Sequence, residues 1–516
     1  HGGNSCIDAV LTRFEQPRAQ PEVGAHEGSR LILGCDHDPV FLHVRRTLKV
    51  PVARRSAVFT KCGKWQLTLP SAAPSIAAAP RPLSSQDSLE ELAAKTCRRP
   101  VSFRYRDDEG IRDLIRQRKI EPNPVSRRDL GREIHARRQQ AKAKWQTEVL
   151  NKAAAGHYHA ISYLRRRKST THEQAKFIAN SGGEERAAQA LRQFYHAKYT
   201  PNDPPCTPLH DEFISKCMDV EPCPFTLEEI REAIGTAKPG KSAGEDGVTY
   251  ELLDAVLQTG RGTEIVDWFN RVLTDPRQTP SAWLNSRTVL LPKVRQPKLP
   301  KDLRPIVLSA VAGKLFTEAL TLRLRSQWKP MQADQLSAQK GAQTLDGSTA
   351  LTHLIHLAQE RNQGLYAIKL DIAQAFDRTT HDAVARFLAS TSVSREAGVL
   401  FHIIRNSRVN LRIGRQEWTQ DLHCGLLQGS TYSAEIFACT LDWFLGPLVR
   451  GWHESGVNGW MHEIGLLLYA DDIILVAPTP DALQSKLNDV VYTLKLLGLQ
   501  VSQHKCIVLA DTREVA

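Results

Sequence analysis

A chain of 516 residues with 41% hydrophobic and 7% aromatic side chains has material for two to four domains with real cores, which excludes a disordered or low-complexity protein. A formal charge of +12 favours a polyanionic partner, and no apolar run approaches the length of a membrane span. The ten cysteines include no Cys-x-x-Cys pair and no zinc-type Cys/His spacing, so they read as reduced, intracellular thiols.

In chain order, Cys6 to Thr12 reads as a strand, and Leu31 to Val40 as a strand running into a loop. Asp8, Asp36 and His37 can then converge, a carboxylate orienting an imidazole that handles a proton; the alternative is a polar loop with a surface histidine. Residues 48–100 hold Pro and Ala in loose order, as in Ser71 to Pro80, and read as a linker. Residues 101–170 carry 18 Lys and Arg against 8 Asp and Glu, which is +10 of the net +12. Arg137, Arg138, Lys142, Lys144 and Lys152 sit on a helix-favouring stretch that leads to Arg165-Arg166-Arg167-Lys168. This is an arm for RNA or DNA phosphates, or a solvated helix face.

Near residue 221 the texture becomes globular. Thr226-Leu227-Glu228-Glu229 matches a capping box ahead of a helix with Ile230 and Ile234 on one face, ended by Gly235 and Pro239. Residues 283–291 read as a strand, and 310–326 as a helix with Leu315, Phe316, Leu320 and Leu324 inward. Tyr366 to Leu370 is a strand ending at Asp371. Gly425, Gln428 and Gly429 precede a helix carrying Phe437, Leu441, Phe444 and Leu448, with Ser430 or Thr431 as its cap. Ile464 to Leu468 and Ile473 to Val476 form a hairpin whose tip holds Asp471 and Asp472.

Neighbouring side chains alternate across a strand, so only a turn lets Asp471 and Asp472 converge on one ion. Most Asp-Asp pairs are solvated turn residues, and Asp371 alone reads as a strand-end residue. Taken together they offer a two-metal site for in-line phosphoryl transfer, which needs cations roughly 3.5–4 Å apart.

Five blocks in this order resemble the reverse transcriptases of non-LTR retrotransposons. They are Leu291-Pro292-Lys293 with Leu303-Arg304-Pro305-Ile306, then Leu370 to Asp377, Gly425 to Ser430, Tyr469 to Asp472, and Gly498-Leu499 with His504-Lys505. Lys238 to Gly247 looks like the entry to that domain. The resemblance implies an α+β right-hand polymerase. Fingers and palm would occupy 221–516, with a core at 283–510 and the thumb absent or truncated. Residues 101–220 would be a basic, largely helical nucleic-acid-binding connector. Residues 1–47 resemble the C-terminal end of an endonuclease/exonuclease/phosphatase fold, with Cys35 where that family has Ser. Its metal-binding front half is missing, so this piece is expected not to cut DNA.

The resemblance also assigns roles. Asp371, Asp471 and Asp472 would hold two Mg²⁺ ions, with Mn²⁺ as a substitute. Lys293, Arg304, Phe376, Gln428, Gly429 and Lys505 would contact the nucleotide: Lys293 and Arg304 at the triphosphate, and Phe376 under the sugar against a 2′-hydroxyl. Gln428 and Gly429 would lie against the template or nucleotide, and Lys505 would protonate pyrophosphate. Ser433-Ala434 stands where the family usually has Ser-Pro. Asp377 is expected to cap the helix starting near Thr379. The implied partners are an RNA template, a DNA primer or target site and deoxynucleoside triphosphates, and the implied setting is the nucleus. Group II intron-type enzymes share these motifs, and a catalytically inactive nucleic-acid-binding remnant is the competing class.

Overall fold

The computed structural model describes residues 21–25, 40–44, 69–79, 81–97, 105, 107–155, 170–201, 205–237, 241, 243–294, 296–328, 335–337, 342–452, 457–458 and 463–510. Asp8, Asp36 and His37 lie outside the described residues, as does Lys238-Pro239-Gly240. The chain divides into two compact units: residues 1–98, 188–290 and 305–516 in the first, 99–187 and 291–304 in the second. Residues 188–220 fall in the first unit together with the residues that follow them.

Strand β1 (Pro21–Ala25) pairs antiparallel with β2 (Val40–Val44). Helices α1 (Leu69–Ala77) and α2 (Gln86–Thr96) follow, the second capped by the Ser85 side chain. Ile76, Leu83, Leu89 and Leu92 are buried in the main core. Arg261 donates to the carbonyls of Ile76 at 2.8 Å, Ala79 at 3.1 Å and Arg81 at 2.7 Å. Gln86 donates to Asp246 at 2.9 Å and accepts from the Trp283 indole at 3.0 Å. The expectation of a linker over 48–100 is therefore wrong for residues 69–97. A few well-placed apolar side chains on an Ala-rich stretch suffice when partners remote in sequence close the polar groups.

The second unit holds α3 (Glu109–Ile120), α4 (Pro124–Ala154) and α5 (Thr170–Asn180). Asp108 caps α3, and the Asn123 side chain accepts from the Val125 amide at 2.8 Å at the start of α4. Tyr105 meets Trp145 edge-on with ring centroids 6.2 Å apart, and the Asp107 carboxylate pairs with Arg138. Most of the α4 surface is exposed and basic, with Ile134 and Val149 buried.

The first unit resumes with α6 (Glu184–Tyr199), α7 (Thr207–Met218), α8 (Leu227–Thr236), α9 (Tyr250–Leu257), α10 (Gly262–Thr274) and α11 (Ser281–Leu284). The capping box at α8 forms as expected, and Ile230 and Ile234 are buried. Trp268, Phe269, Trp283 and Phe316 form an aromatic cluster with neighbouring centroids 5.0–5.7 Å apart. Then come β3 (Asn285–Pro292), β4 (Leu303–Leu308), α12 (Val311–Leu324), α13 (Thr344–Glu360), β5 (Tyr366–Asp371), α14 (Ala375–Arg378), α15 (His381–Thr391) and α16 (Arg395–Arg405). All four apolar residues expected inward on α12 are buried.

The chain continues with β6 (Arg408–Ile413), β7 (Gln416–Asp421), α17 (Ser433–Gly451), β8 (Val457–Asn458), β9 (Glu463–Ile464), β10 (Leu466–Tyr469), β11 (Asp472–Ala477), α18 (Pro480–Leu496) and β12 (Ile507–Leu509). One four-stranded sheet runs β4-β3-β6-β7. The other runs β10-β11-β5-β12, antiparallel throughout, with α18 packed on β5 and β11.

Two local expectations are corrected. The cap of α17 is Tyr432 without a side-chain bond, not Ser430 or Thr431. Thr431 turns instead to the Thr317 hydroxyl at 3.2 Å. The cap of α15 is Thr380, while Asp377 is buried within α14.

Candidate active site

β10 and β11 are joined by a two-residue turn, Ala470-Asp471, closed by the Tyr469–Asp472 pair. Ala470 has φ 53, a left-handed conformation that favours glycine, and strain of this kind collects at functional sites. Its amide donates to Gln335 Oε1 at 3.1 Å. On the other side of β11, Asp472 is the register partner of Asp371. Directly opposed residues project to the same face of a sheet, so two strands deliver two carboxylates together and the turn sets Asp471 beside them.

Burial raises the Asp471 carboxyl above its ordinary value, and the like charges of Asp472 and Asp371 add to the effect. Lysines pair with the other two carboxylates. Lys505 Nζ lies 2.9 Å from Asp371 Oδ2, and Lys369 Nζ lies 2.7 Å from Asp472 Oδ1. Lys505 is placed by backbone bonds that tie its segment to the end of β5: Ser502 N to Asp371 O at 2.7 Å, and Ala373 N to Gln500 O at 2.8 Å.

As the side chains stand, no three His, Cys, Asp or Glu among the described residues are gathered tightly enough to hold an ion. The donor set nevertheless fits a hard divalent cation. It is all carboxylate oxygen, its members repel one another, and the lysines on it are exposed side chains free to swing away.

A second loop lies against the segment after β5. Gly425 N donates to Thr379 O and Leu426 N to Phe376 O, both at 2.7 Å. Gly425 has φ +92, and a Cβ there would meet Asp377 O at 2.6 Å. Gly429, φ +117, would meet Val307 O at 2.8 Å, so side chains are excluded at both positions. The Gln428 amide donates to Asp377 Oδ2 at 2.8 Å. The half-buried Phe376 ring packs on Phe437 with centroids 4.6 Å apart.

The structure thus brings Asp371, Asp471, Asp472 and Lys505 together, and joins Phe376, Gln428 and Gly429 through one hydrogen-bonded loop. Lys293 and Arg304 belong to the second unit, where both are exposed; Lys293 N donates to Asp302 O at 2.7 Å.

The reverse transcriptase (RNA-dependent DNA polymerase) family matches residues 292–516. This region is a reverse transcriptase domain of the non-LTR retrotransposon kind. The chain is 27% identical over 290 residues to the retrovirus-related Pol polyprotein from type-1 retrotransposable element R2 of Nasonia vitripennis, covering 56% of this chain and 27% of that protein. A 149 kDa protein of transposon TX1 from Xenopus laevis is 28% identical over 49% of this chain and 20% of its own length. The RNA-directed DNA polymerase from mobile element jockey of Drosophila funebris is 24% identical over 57% of this chain and 32% of its own length. The chain spans between a fifth and two-fifths of the curated relatives it matches. Among solved structures, apo telomerase from Candida tropicalis aligns with TM-score 0.33 and 12% identity over 44% of each chain.

The expected α+β right-hand polymerase fold is met in the matched region. Its palm sheet is β10-β11-β5-β12 backed by helices, and β3 and β4 are neighbours in the other sheet, where fingers are expected. Reverse transcriptases as a family use divalent metal ions. No described helix is long and apolar enough to cross a membrane.

Three residues that touch the site's carboxylates or their turn carry no role in the sequence analysis. Lys369 had a signal, since it shares the strand face of Asp371 two residues on. Gln335 and Lys198 had none, because each acts on a segment distant in the chain.

Proposed function

We propose that the protein is an RNA-directed DNA polymerase that extends a DNA 3′-hydroxyl on an RNA template during retrotransposon copying. The observation that carries this reading is the pairing of Asp472 with Asp371 across adjacent strands, with Asp471 on the turn between β10 and β11. The primer 3′-oxygen attacks the α-phosphorus of a deoxynucleoside triphosphate, a new P–O bond forms and pyrophosphate leaves. Asp371 and Asp471 would be the principal ligands for two Mg²⁺ ions, with Asp472 as a further carboxylate. Bound there, the ions would ease deprotonation of the hydroxyl and neutralise the phosphates.

The chain's own groups do the remaining work. Lys505, released from Asp371, hands a proton to the leaving pyrophosphate. Phe376 restricts the space under the sugar, and Gln428 with Gly429 supports the nascent base pair. Lys293 and Arg304 supply cations for the triphosphate, Arg304 as a planar fork. The basic surface of α4 binds nucleic-acid phosphates. Nuclear action on a nicked chromosomal end is the setting this reading implies.

Primer extension on poly(rA)/oligo(dT) with Mg²⁺ tests the proposal. The full chain should add dTTP, and Asp471→Asn should lower the rate by about a thousandfold, as expected when transition-state charge stabilisation is lost. Normal extension by Asp471→Asn would remove the site assignment. Template binding with no extension by the parent chain would favour an inactive remnant.

A further inference from the structure

The loop that carries Gln428 is held from outside the matched domain. Lys198, near the end of α6, is 8% exposed, and its Nζ lies 2.8 Å from Asp377 Oδ2. The same oxygen accepts from Gln428 Nε2 at 2.8 Å. Lys198 Nζ also stands 5.5 Å from the ring centroids of both Tyr195 and Tyr199, whose faces favour a cation. The backbone repeats the link: His423 N and Cys424 N donate to Tyr199 O at 3.0 and 3.2 Å. The α6 segment therefore meets the Gly425–Gly429 loop in its lysine and its main chain.

We propose that Lys198 is a positioning residue for nucleotide binding. It holds the Asp377 side chain in place, and Asp377 holds one N–H of Gln428. The Gln428 carbonyl and second N–H are then set for the incoming nucleotide or template base. An amide at the end of a flexible side chain would otherwise sample several rotamers, and ordering it would fall on each binding event. The pair is buried, so removing either partner leaves an uncompensated charge and lets the loop move. The inference rests on the polymerase reading above and deepens it, because it assigns part of the nucleotide subsite to a helix upstream of residue 292.

The test is a double-variant cycle on the full chain, with poly(rA)/oligo(dT), Mg²⁺ and dTTP. Lys198→Met and Gln428→Ala should each raise the KM for dTTP by about tenfold, with kcat within about threefold of the parent. Their combination should be no worse than Gln428→Ala alone, because Lys198 acts through that amide. Multiplying effects would overturn the proposal, as would an unchanged KM in Lys198→Met. If Lys198→Met does not fold, Asp377→Asn replaces it in the cycle with the same expectations, since it keeps the shape and removes the charge. Absence of extension by the parent chain would instead sink the polymerase reading and this inference with it.

Discussion

Phe376 does two things at once. Its ring packs on Phe437 at 4.6 Å, which fixes its orientation, and its half-buried state leaves an edge for a ligand. Phe376→Ala should lower the preference for deoxynucleotides over ribonucleotides by roughly 10–100-fold in the ratio of kcat/KM values. Unchanged sugar selectivity would reduce Phe376 to a packing residue. Asp246 makes the pH argument at the same scale. Burial pushes its carboxyl up to about 6, despite bonds from Gln86 and Val248. The folded protein thus holds a proton that the unfolded chain has lost, and stability falls as pH rises between about 4 and 6. Asp246→Asn should melt higher than the parent at pH 7.5, and the gain should vanish at pH 4. Equal melting at both values would place the carboxylate in effective contact with solvent.

Among the elements, α1 and α2 belong to the core. Leu89 is 0% exposed, and Leu89→Ala should cost about 2–5 kcal/mol, read as a lower melting midpoint. Leu150→Ala, at a residue 56% exposed, should leave the midpoint in place. A silent Leu89→Ala would restore the linker reading of this stretch. The elements legible in the sequence were those whose stabilising pattern is local. The capping box at Thr226, the alternating run into Asp371 and the spaced Leu and Phe residues of α12 each state their structure within a few positions. The acidic hairpin was legible for the same reason, since a strand pair and its turn occupy one short segment. Contacts across the chain were not legible. Residues 69–97 gave no periodic stripe wide enough to announce burial, and Asp377 looked like a cap because Lys198 is written far upstream.

At the scale of the whole molecule, net charge is uneven. Residues 101–170 hold most of the +12, and α4 exposes Arg128, Arg132 and Lys144. Each phosphate contact that displaces a counterion contributes about 0.7 to the salt slope on a single strand. Replacing these three residues by Glu should reduce the slope for labelled RNA by about 2, measured by fluorescence anisotropy across a KCl series. The KM for dTTP at low salt should stay within about twofold, because none of the three is assigned to the nucleotide. An unchanged slope would make the surface of α4 a solvated face.

Strand β12 borders its sheet, paired on one side with β5, while Ile507 is 65% and Val508 63% exposed. A peptide rim flanked by greasy side chains is an invitation to foreign strands. A charged replacement at Val508 should therefore reduce edge-to-edge association of the concentrated polypeptide, measured by light scattering.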